Sequence, residues 1–592
     1  MNNKTGYIAA IARGHNAGVC LLKDGVVVFS IEEERLSRQK YDGGPYASMM
    51  KILEYTDKID YLVVAHTQNL HDTAGKVDFT GDDIYTGLAR KLNLIDRKAN
   101  LHEHPQVIDL SHMHHKLHAA CAFYNSGFET ATAVIVDGAG TFIPLQVGEE
   151  TITGWETETL FECEYPAEIK TVYKHIGTRG PTPTSFMKAY DNDNEYSALV
   201  TEHAGIVKVY EAVTEYCGFS SIEAGKTMGL FPYGKEDVTL PELFIDTDVG
   251  VISNRNTIVP NYPNGAIVNQ GISKTLTQFD EDVDITTLEN RRNLAWKCQT
   301  DTQAQVANLI KEAVKITGNK NVVLSGGYGL NCVANYYYLD ALKDSGINLY
   351  VEPVSNDAGT AMGAAQLMYR TITKDQTVSD PQDTVYHGPS YNFSNDDITE
   401  TAIKYNAQIE DASHETLVDL ITSKNIVSVF QGRSENGPRA LGNRSLVFDP
   451  TFTDGKDFVN GIKRREYFRP FAGSILEEDV HEWFDLRGMK SSPTMMYAVN
   501  CQPGIEEKIP AIIHVDGTCR IQTVNREQNP HYYDIIKAFK ERTGVPIVFN
   551  TSFNLGGEPL VETLDDALWT LQQSDIEYLY MPEYGKLLTI KN

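Results

Sequence analysis

Positive charge is scarce in this chain: 52 lysines and arginines stand against 80 aspartates and glutamates, a net charge of −28 over 592 residues. That balance repels a polyanion at long range and excludes a broad, non-specific nucleic-acid footprint. Long apolar runs are missing too. No stretch of about 18 apolar residues occurs, so no membrane-spanning helix and no membrane partner are expected. The start, MNNKTGYIAAIARGHN, lacks a charged segment followed by a long apolar one. No signal peptide is expected, which places the protein in the cytoplasm. The eight cysteines (Cys20, Cys121, Cys163, Cys217, Cys298, Cys332, Cys501 and Cys519) form no CxxC pair. Buried thiols in a reducing compartment are expected, and a zinc–cysteine site is not. No repeat of about 20–50 residues is present and nothing is low-complexity.

What is there suits two to four globular domains, with 41% hydrophobic and 22% charged residues. Residues 6–31 form a strand meander. Gly6 to Ala12 and Gly18 to Leu22 are apolar, and Lys23-Asp24-Gly25 turns the chain into Val26 to Ile31. ATAVIVDGAG from about Thr130 predicts a buried strand ending at Asp137, and NVVLSGGYGLNCVAN from Asn321 a strand, a Gly-rich loop and a helix start. Val306, Ile310 and Val314 predict a helix over Thr300 to Thr317. Strands followed by such loops predict an α/β nucleotide-binding domain. Weaker patterns over 145–290 suggest insertions. Residues 373–395, polar with Pro381 and Pro389, suggest a linker between a first domain at 1–372 and a second at 396–592. The second begins with a helix expected over Asp396 to Ile409 and a strand over Ile426 to Phe430.

His114 and His118 stand four apart in SHMHHKLHAACAFY, on one face of a helix, where both imidazoles can reach one ion. Asp137 ends a strand, and Asp357 in EPVSNDAGTAMGAA precedes a helix start. Two histidines and two carboxylates suit Fe(II), Mn(II) or Zn(II). The alternative is a His-rich exposed helix face, and the spacing alone does not separate the two. His112 and His115 fall off that face or at its edge.

Several segments together reach a known family. GHNAG, IEEERLSRQK, HHKLHAACAFY, VDGAG, GKTMGLFPYG, SGGYGLNCVAN and NDAGTAMGAA follow in order. GPRALGNRSLVFDP, IKRREYFRPFAGSILEE, IPAIIHVDGTCRIQTV and TGVPIVFNTSFNLGGEPLV come after them. Co-linear over nearly the whole chain, they resemble the NodU/CmcH carbamoyltransferase family. The resemblance implies an α/β chain with an N-terminal TsaD-like domain, of the actin and heat-shock-ATPase type, and a C-terminal YrdC-like domain. It implies carbamoyl phosphate and ATP as substrates, with Mg2+ accompanying the ATP, and carbamoyl-adenylate made in the C-terminal domain and used in the N-terminal one. It implies iron, or another divalent metal, on His114, His118, Asp137 and Asp357. Two positions depart from the family pattern: Asn16, where many relatives carry Asp, and Tyr41, where many carry His. Both bear on the acceptor rather than on the chemistry.

Carbamoyl phosphate and ATP are both polyanions and need fixed cations. The second domain offers Arg439 and Arg444, then Lys463, Arg464, Arg465 and Arg469, and Arg520. Guanidinium binds phosphate through paired N–H groups, so this set predicts an anion pocket rather than a solvated basic face. By resemblance, Lys463, Arg469, Arg520 and Ser552 hold carbamoyl phosphate, with Lys463 and Arg520 catalytic. Arg439 contacts it or the nucleotide phosphates. His514, Asp516, Asn550 and Thr551 orient these groups, Asp516 and Asn550 being equally readable as a turn residue and a strand-end cap. In the first domain Gly326, Gly327, Asn331 and Asn335, with Lys226 and Gly138, are the expected nucleotide contacts. His15, in the first loop, is the expected catalytic contact to the carbamoyl carbonyl or acceptor oxygen; the alternative is a turn histidine bonded to backbone.

The acceptor is expected to be a hydroxyl on a small molecule or sugar. A hydroxymethylated base such as 5-hydroxymethylcytosine, flipped singly from DNA, is the second reading, and a tRNA threonylcarbamoyl-type enzyme the third. A non-catalytic ATP-dependent chaperone is the fourth, and the intact His/Asp set argues against it. A homodimer is compatible with all four.

Overall fold

The computed structural model describes residues 5–65, 84–100, 104–147, 150–179, 182–191, 194–248, 250–261, 265–269 and 284–591. The chain forms two compact units: Met1–Val27 with Gly43–Gln382, and Val28–Asp42 with Asp383–Asn592. The division at Gln382 falls inside the polar stretch 373–395.

In the first unit, β1 (Tyr7–Ala12) pairs antiparallel with β2 (Gly18–Lys23), placing Ala10 opposite Cys20. Asp24 and Gly25 both take positive φ (49° and 88°), the conformation a two-residue hairpin turn requires, and β3 (Val26–Glu32) follows, with its residues from Val28 on belonging to the second unit. β4 (Tyr61–Ala65) runs parallel to β1, and β5 (Val107–Asp109) parallel to β4. β1 and β4 are apolar almost throughout because both faces of a parallel sheet are covered. α1 (His114–Asn125) then leads into β6 (Thr130–Val136), β7 (Phe142–Val147), β8 (Glu150–Glu164), β9 (Glu168–Thr178), β10 (Ser185–Asp191) and β11 (Asn194–Thr201). After α2 (Ile206–Tyr216) and α3 (Glu289–Thr317) come β12 (Asn321–Ser325), α4 (Cys332–Ala341), β13 (Asn348–Val351) and α5 (Ala358–Thr373). The second sheet runs β10-β11-β9-β8-β6-β12-β13, with β7 paired to β8. α1 and α5 share a core with Ile8, Val63, Ile135 and Val323. Thus β8, β9 and β11, within the stretch expected to be insertions, are central members of this sheet, and α3 starts eleven residues before the expected Thr300.

The second unit is one mixed sheet flanked by helices. The helix expected over 396–409 is shorter, Asn395–Lys404, because Asn406 takes a left-handed φ of 55° and Gln408–Asp411 becomes an edge strand. At the centre of the sheet, β14 (Arg444–Phe448) pairs with β17 (Ile547–Ser552), and β15 (Ala472–Leu476) lies between β17 and β16 (Thr518–Val524). Residues 28–42 belong to this unit through Arg35. Its fully buried guanidinium bonds Glu32 (2.8 Å) and the carbonyls of Glu435 (3.1 Å) and Gly437 (2.6 Å). Breaking a buried ion pair from one side costs about 3–5 kcal/mol. Arg35→Ala is therefore expected to lower the urea midpoint of the whole protein. An unchanged midpoint would show that the 28–42 segment is not held by this residue.

Candidate metal centre and anion pocket

In the first unit, one face of α1 meets two strand-end loops. His114 opens the helix, its backbone N–H bonded to Thr141 Oγ1 (3.0 Å), and His118 follows one turn later. Asp137 directly follows β6, and Asp357 stands at the N-cap position of α5 with its carboxylate free of any capping bond. His114 Nε2 lies 3.4 Å from Asp137 Oδ2 and 3.5 Å from Asp357 Oδ1; His118 Nε2 lies 3.6 Å from Asp357 Oδ1. These gaps are too long for good hydrogen bonds. They suit donors sharing one ion at about 2.1 Å each. One donor atom from each of the four residues falls within 4.8 Å of the others. Both Nε2 atoms, and His118 Nδ1, are buried without a hydrogen-bond partner. Burial opposes charge on His114, but Asp137 and Asp357 outweigh it and raise its pKa to about 10. Two carboxylates buried together need two positive charges nearby, and a divalent ion supplies both. The donor set therefore fits the expected metal.

Asp137 is aimed by the Gly-rich loop. Gly327 N–H donates to its Oδ1 (2.9 Å), leaving Oδ2 toward His114. Gly326 takes φ 87°, and a Cβ there would lie 2.5 Å from the Val136 carbonyl, so only glycine lets the loop close on β6. Asn331 and Asn335 are occupied within the fold. Asn331 caps α4 through Ala334 N–H (3.0 Å) and exchanges amide bonds with Gln299 (3.0 and 3.2 Å). Asn335, fully buried, donates to the Gly329 carbonyl (2.8 Å). Their side chains hold the loop in shape rather than facing open space. Lys226 pairs with Glu223 (2.8 Å), and Gly138 follows Asp137 directly. His15, half exposed, places Nδ1 3.8 Å from Asp357 Oδ2.

Three neighbours carry no role in the sequence reading. His115 is wholly buried, Nδ1 against Thr159 Oγ1 (2.7 Å) and Nε2 3.9 Å from Asp137; burial lowers its pKa to about 4. Lys208 and Glu211 on α2 pair at 2.7 Å, and burial holds the Glu211 carboxyl above its usual range, with Asp137 among its charged surroundings. A Lys-x-x-Glu spacing on a helix gave no signal of this.

In the second unit, Lys463 follows the helix Gly455–Ile462 and is buried. Its ammonium donates to the Ser552 carbonyl and to Asn554 Oδ1 (3.3 Å), which also accepts from Ser552 Oγ (2.6 Å). Arg465 donates to Thr551 Oγ1 (3.4 Å) over the Phe471 ring. Arg520, on β16, has a buried Nε without a partner. Burial, with Arg465 and Arg469 adding repulsion, pushes Lys463 well down. Burial, Arg469 and Arg520 push Arg465 down to about 9. Arg439 precedes Ala440, whose carbonyl accepts from Asn550 (3.2 Å), so its loop lies against β17. Mutual repulsion among buried cations is costly, and a bound polyanion relieves it.

Not every cation joins this group. Arg444 is fully buried and donates to the carbonyls of Gln431 (2.6 Å), Asn443 (3.0 Å) and Glu562 (3.2 Å), with Phe430 3.9 Å below it; it braces backbone. Arg464, exposed, bonds the Gln573 carbonyl (2.9 Å). Arg465, given no separate role from the sequence, lies among the cations instead. Asp516 accepts from Thr518 N–H (3.1 Å) and hydroxyl (2.7 Å), the turn reading. His514 lies between Thr518 Oγ1 (3.1 Å) and the Phe471 carbonyl (3.0 Å).

Among the described residues, no helix is long and apolar enough to cross a membrane. A family model described as "Carbamoyltransferase N-terminus" matches residues 65–366, and one described as "Carbamoyltransferase C-terminus" matches 418–586. The chain is 30% identical to Nodulation protein NolNO of Sinorhizobium fredii over 96% of its own length and 78% of the relative's. It is 31% identical to Nodulation protein NolO of Bradyrhizobium diazoefficiens over 79% of this chain and 77% of the relative. A solved structure of full-length HypF in the phosphate- and nucleotide-bound form shares 15% identity over 62% of this chain and 56% of that one, at a TM-score of 0.35. That likeness is too loose to support any argument here. The two family matches, spanning most of the sequence, and the relatives aligned across it show that this chain belongs to the carbamoyltransferase family and is a transferase enzyme.

Proposed function

We propose that the protein is an ATP-dependent O-carbamoyltransferase working in two steps. Carbamoyl phosphate, ATP and water give carbamoyl-adenylate, pyrophosphate and phosphate. A hydroxyl of a small molecule or sugar then attacks the carbamoyl carbon, giving an O-carbamate and AMP. The observation that carries this reading is the cation group, buried Lys463 with part-buried Arg465, Arg469 and Arg520, whose mutual repulsion a polyanion would relieve. Its guanidiniums and ammonium hold and orient carbamoyl phosphate, and Ser552 adds a hydroxyl. In the first unit His114, His118, Asp137 and Asp357 hold a divalent ion, which when bound supplies positive charge for the phosphate of the departing AMP. His15, partly open to solvent beside Asp357, is placed to accept the acceptor's proton or bond the carbonyl oxygen. The two steps occupy the second and first units respectively.

The experiment is a product analysis with labelled carbamoyl phosphate and ATP. Pyrophosphate and AMP are expected to appear in proportion to the carbamoyl phosphate consumed, and O-carbamate only when an acceptor is present. ADP and phosphate as the only products would remove the adenylate step.

A further inference from the structure

β8 changes neighbours halfway along. Its second half, from Glu158, pairs with β6, and its first half, up to Trp155, pairs with β7. β7 thus continues the sheet past the end of β6, where Asp137 sits. The ladder is unbroken through Gly140 N–H to Glu156 O (2.8 Å) and Glu156 N–H to Thr141 O (3.2 Å). Thr141, which bonds the His114 backbone, starts this extension. Leu145 follows four residues on, about 13 Å further along an extended strand.

The extension, β7-β8-β9-β11-β10, is curled. Its two outer strands are separated by three others, yet both line one cavity of about 200 Å³, formed by Leu145, Gln146, Thr182, Ser185, Met187 and Val200, with Pro183. Close packing and a register shift accompany this: a Cβ on Gly154 would lie 2.6 Å from Ile176 and 2.8 Å from Leu145, and the β8–β9 pairing slips between Glu156 and Glu158. The floor is the small core of Ile176, Tyr196, Ala198 and Val200, with Leu145 packed on it. A curled sheet with an open mouth is a common way to hold one small ligand.

The lining has apolar side chains, hydroxyls and one amide, and no ionisable group. Carbamoyl phosphate and nucleotide phosphates would find no cation there, and a polycation no carboxylate. We propose that this slot takes an uncharged, partly apolar portion of the hydroxyl-bearing acceptor, and that the curled sheet is the acceptor platform. This rests on the carbamoyl-transfer reading, because the platform grows directly from the strand end that carries Asp137. The recognised chemistry is a neutral alcohol with a short apolar extension.

The probes are alkyl β-glucosides from methyl to heptyl, below micelle-forming concentrations, titrated calorimetrically into the full protein. Affinity is expected to rise about fourfold per methylene until the slot is full. Met187→Trp, at the half-exposed rim, should flatten the series, and Met187→Ala should extend it to longer chains. Phe186→Ala, on the opposite face of the same strand, should leave it unchanged. A flat series in the unaltered protein overturns the proposal, as does an unchanged series in a folded Met187→Trp variant. If the series holds but the unaltered protein releases no pyrophosphate with carbamoyl phosphate and ATP, the assignment to an acceptor falls through the reaction, and not through the slot.

Discussion

Lys463→Ala is expected to reduce carbamoyl-phosphate-dependent pyrophosphate release by at least about 100-fold while the protein stays folded. A charge-assisted hydrogen bond contributes about 1.5–3 kcal/mol, and Lys463 holds both a backbone carbonyl and Asn554 at the centre of the cation group, so more than one contact is lost. The ammonium is buried under repulsion from Arg465 and Arg469. Its removal relieves that repulsion but takes a donor from the Ser552 carbonyl and Asn554, so stability should change little while anion binding falls. That disparity separates a ligand-binding cation from a structural one. Arg520→Ala should act in the same direction, since its Nε has no partner within the fold. Arg464→Ala is the control: exposed and bonded to a backbone carbonyl, it should leave the rate unchanged. Pyrophosphate release and circular dichroism, measured on the three variants, decide the matter. Undiminished release from a folded Lys463→Ala protein would place the carbamoyl phosphate site elsewhere.

Arg464 and Arg465 also show where sequence reasoning stops. Charge type is legible, but side-chain direction is set by tertiary packing, so adjacent arginines part company and Arg444 turns inward to brace carbonyls. The opening meander was legible nearly to the residue because Asp24 and Gly25 punctuate it. The His114/His118 pair was legible as a helix face, Asp137 as a strand-end residue, and Asp357 as a loop residue before a helix start. Bringing the four together required the fold, which packs α1 against α5. β8 and β9 were not legible as core strands. In β8, ETITGWETETLFECE, Glu156, Thr157, Glu158 and Thr159 are all buried, so apolar alternation is blurred. Those carboxylates are matched across the sheet by Lys174 and by His175 (2.6 Å), a pairing invisible along the chain. The cap and loop roles of Asn331 and Asn335 were hidden for a related reason: an asparagine after a Gly-rich loop suits a ligand and a helix cap equally well.

His114→Ala is expected to abolish carbamoylated product while retaining carbamoyl-dependent pyrophosphate release to within about threefold. The side chain is buried and makes the two shortest approaches in the donor set, one to each carboxylate. Without it the donor set falls to His118, Asp137 and Asp357, and the site loses a ligand as well as its closest positive charge. Bound metal, measured by mass spectrometry, should fall well below one ion per chain. That readout is independent of activity and confirms that the substitution has acted where intended. The cations Lys463, Arg465, Arg469 and Arg520 all lie in the second unit, so the adenylate-forming step should survive. In the absence of transfer, adenylate released to water hydrolyses, so AMP and pyrophosphate should accumulate together without O-carbamate. His112→Ala, two residues away and exposed, should change neither metal content nor product. The division of labour makes one strict demand. If a folded His114→Ala protein loses pyrophosphate release as completely as Lys463→Ala does, both steps depend on the same centre, and the assignment of one step to each unit is wrong.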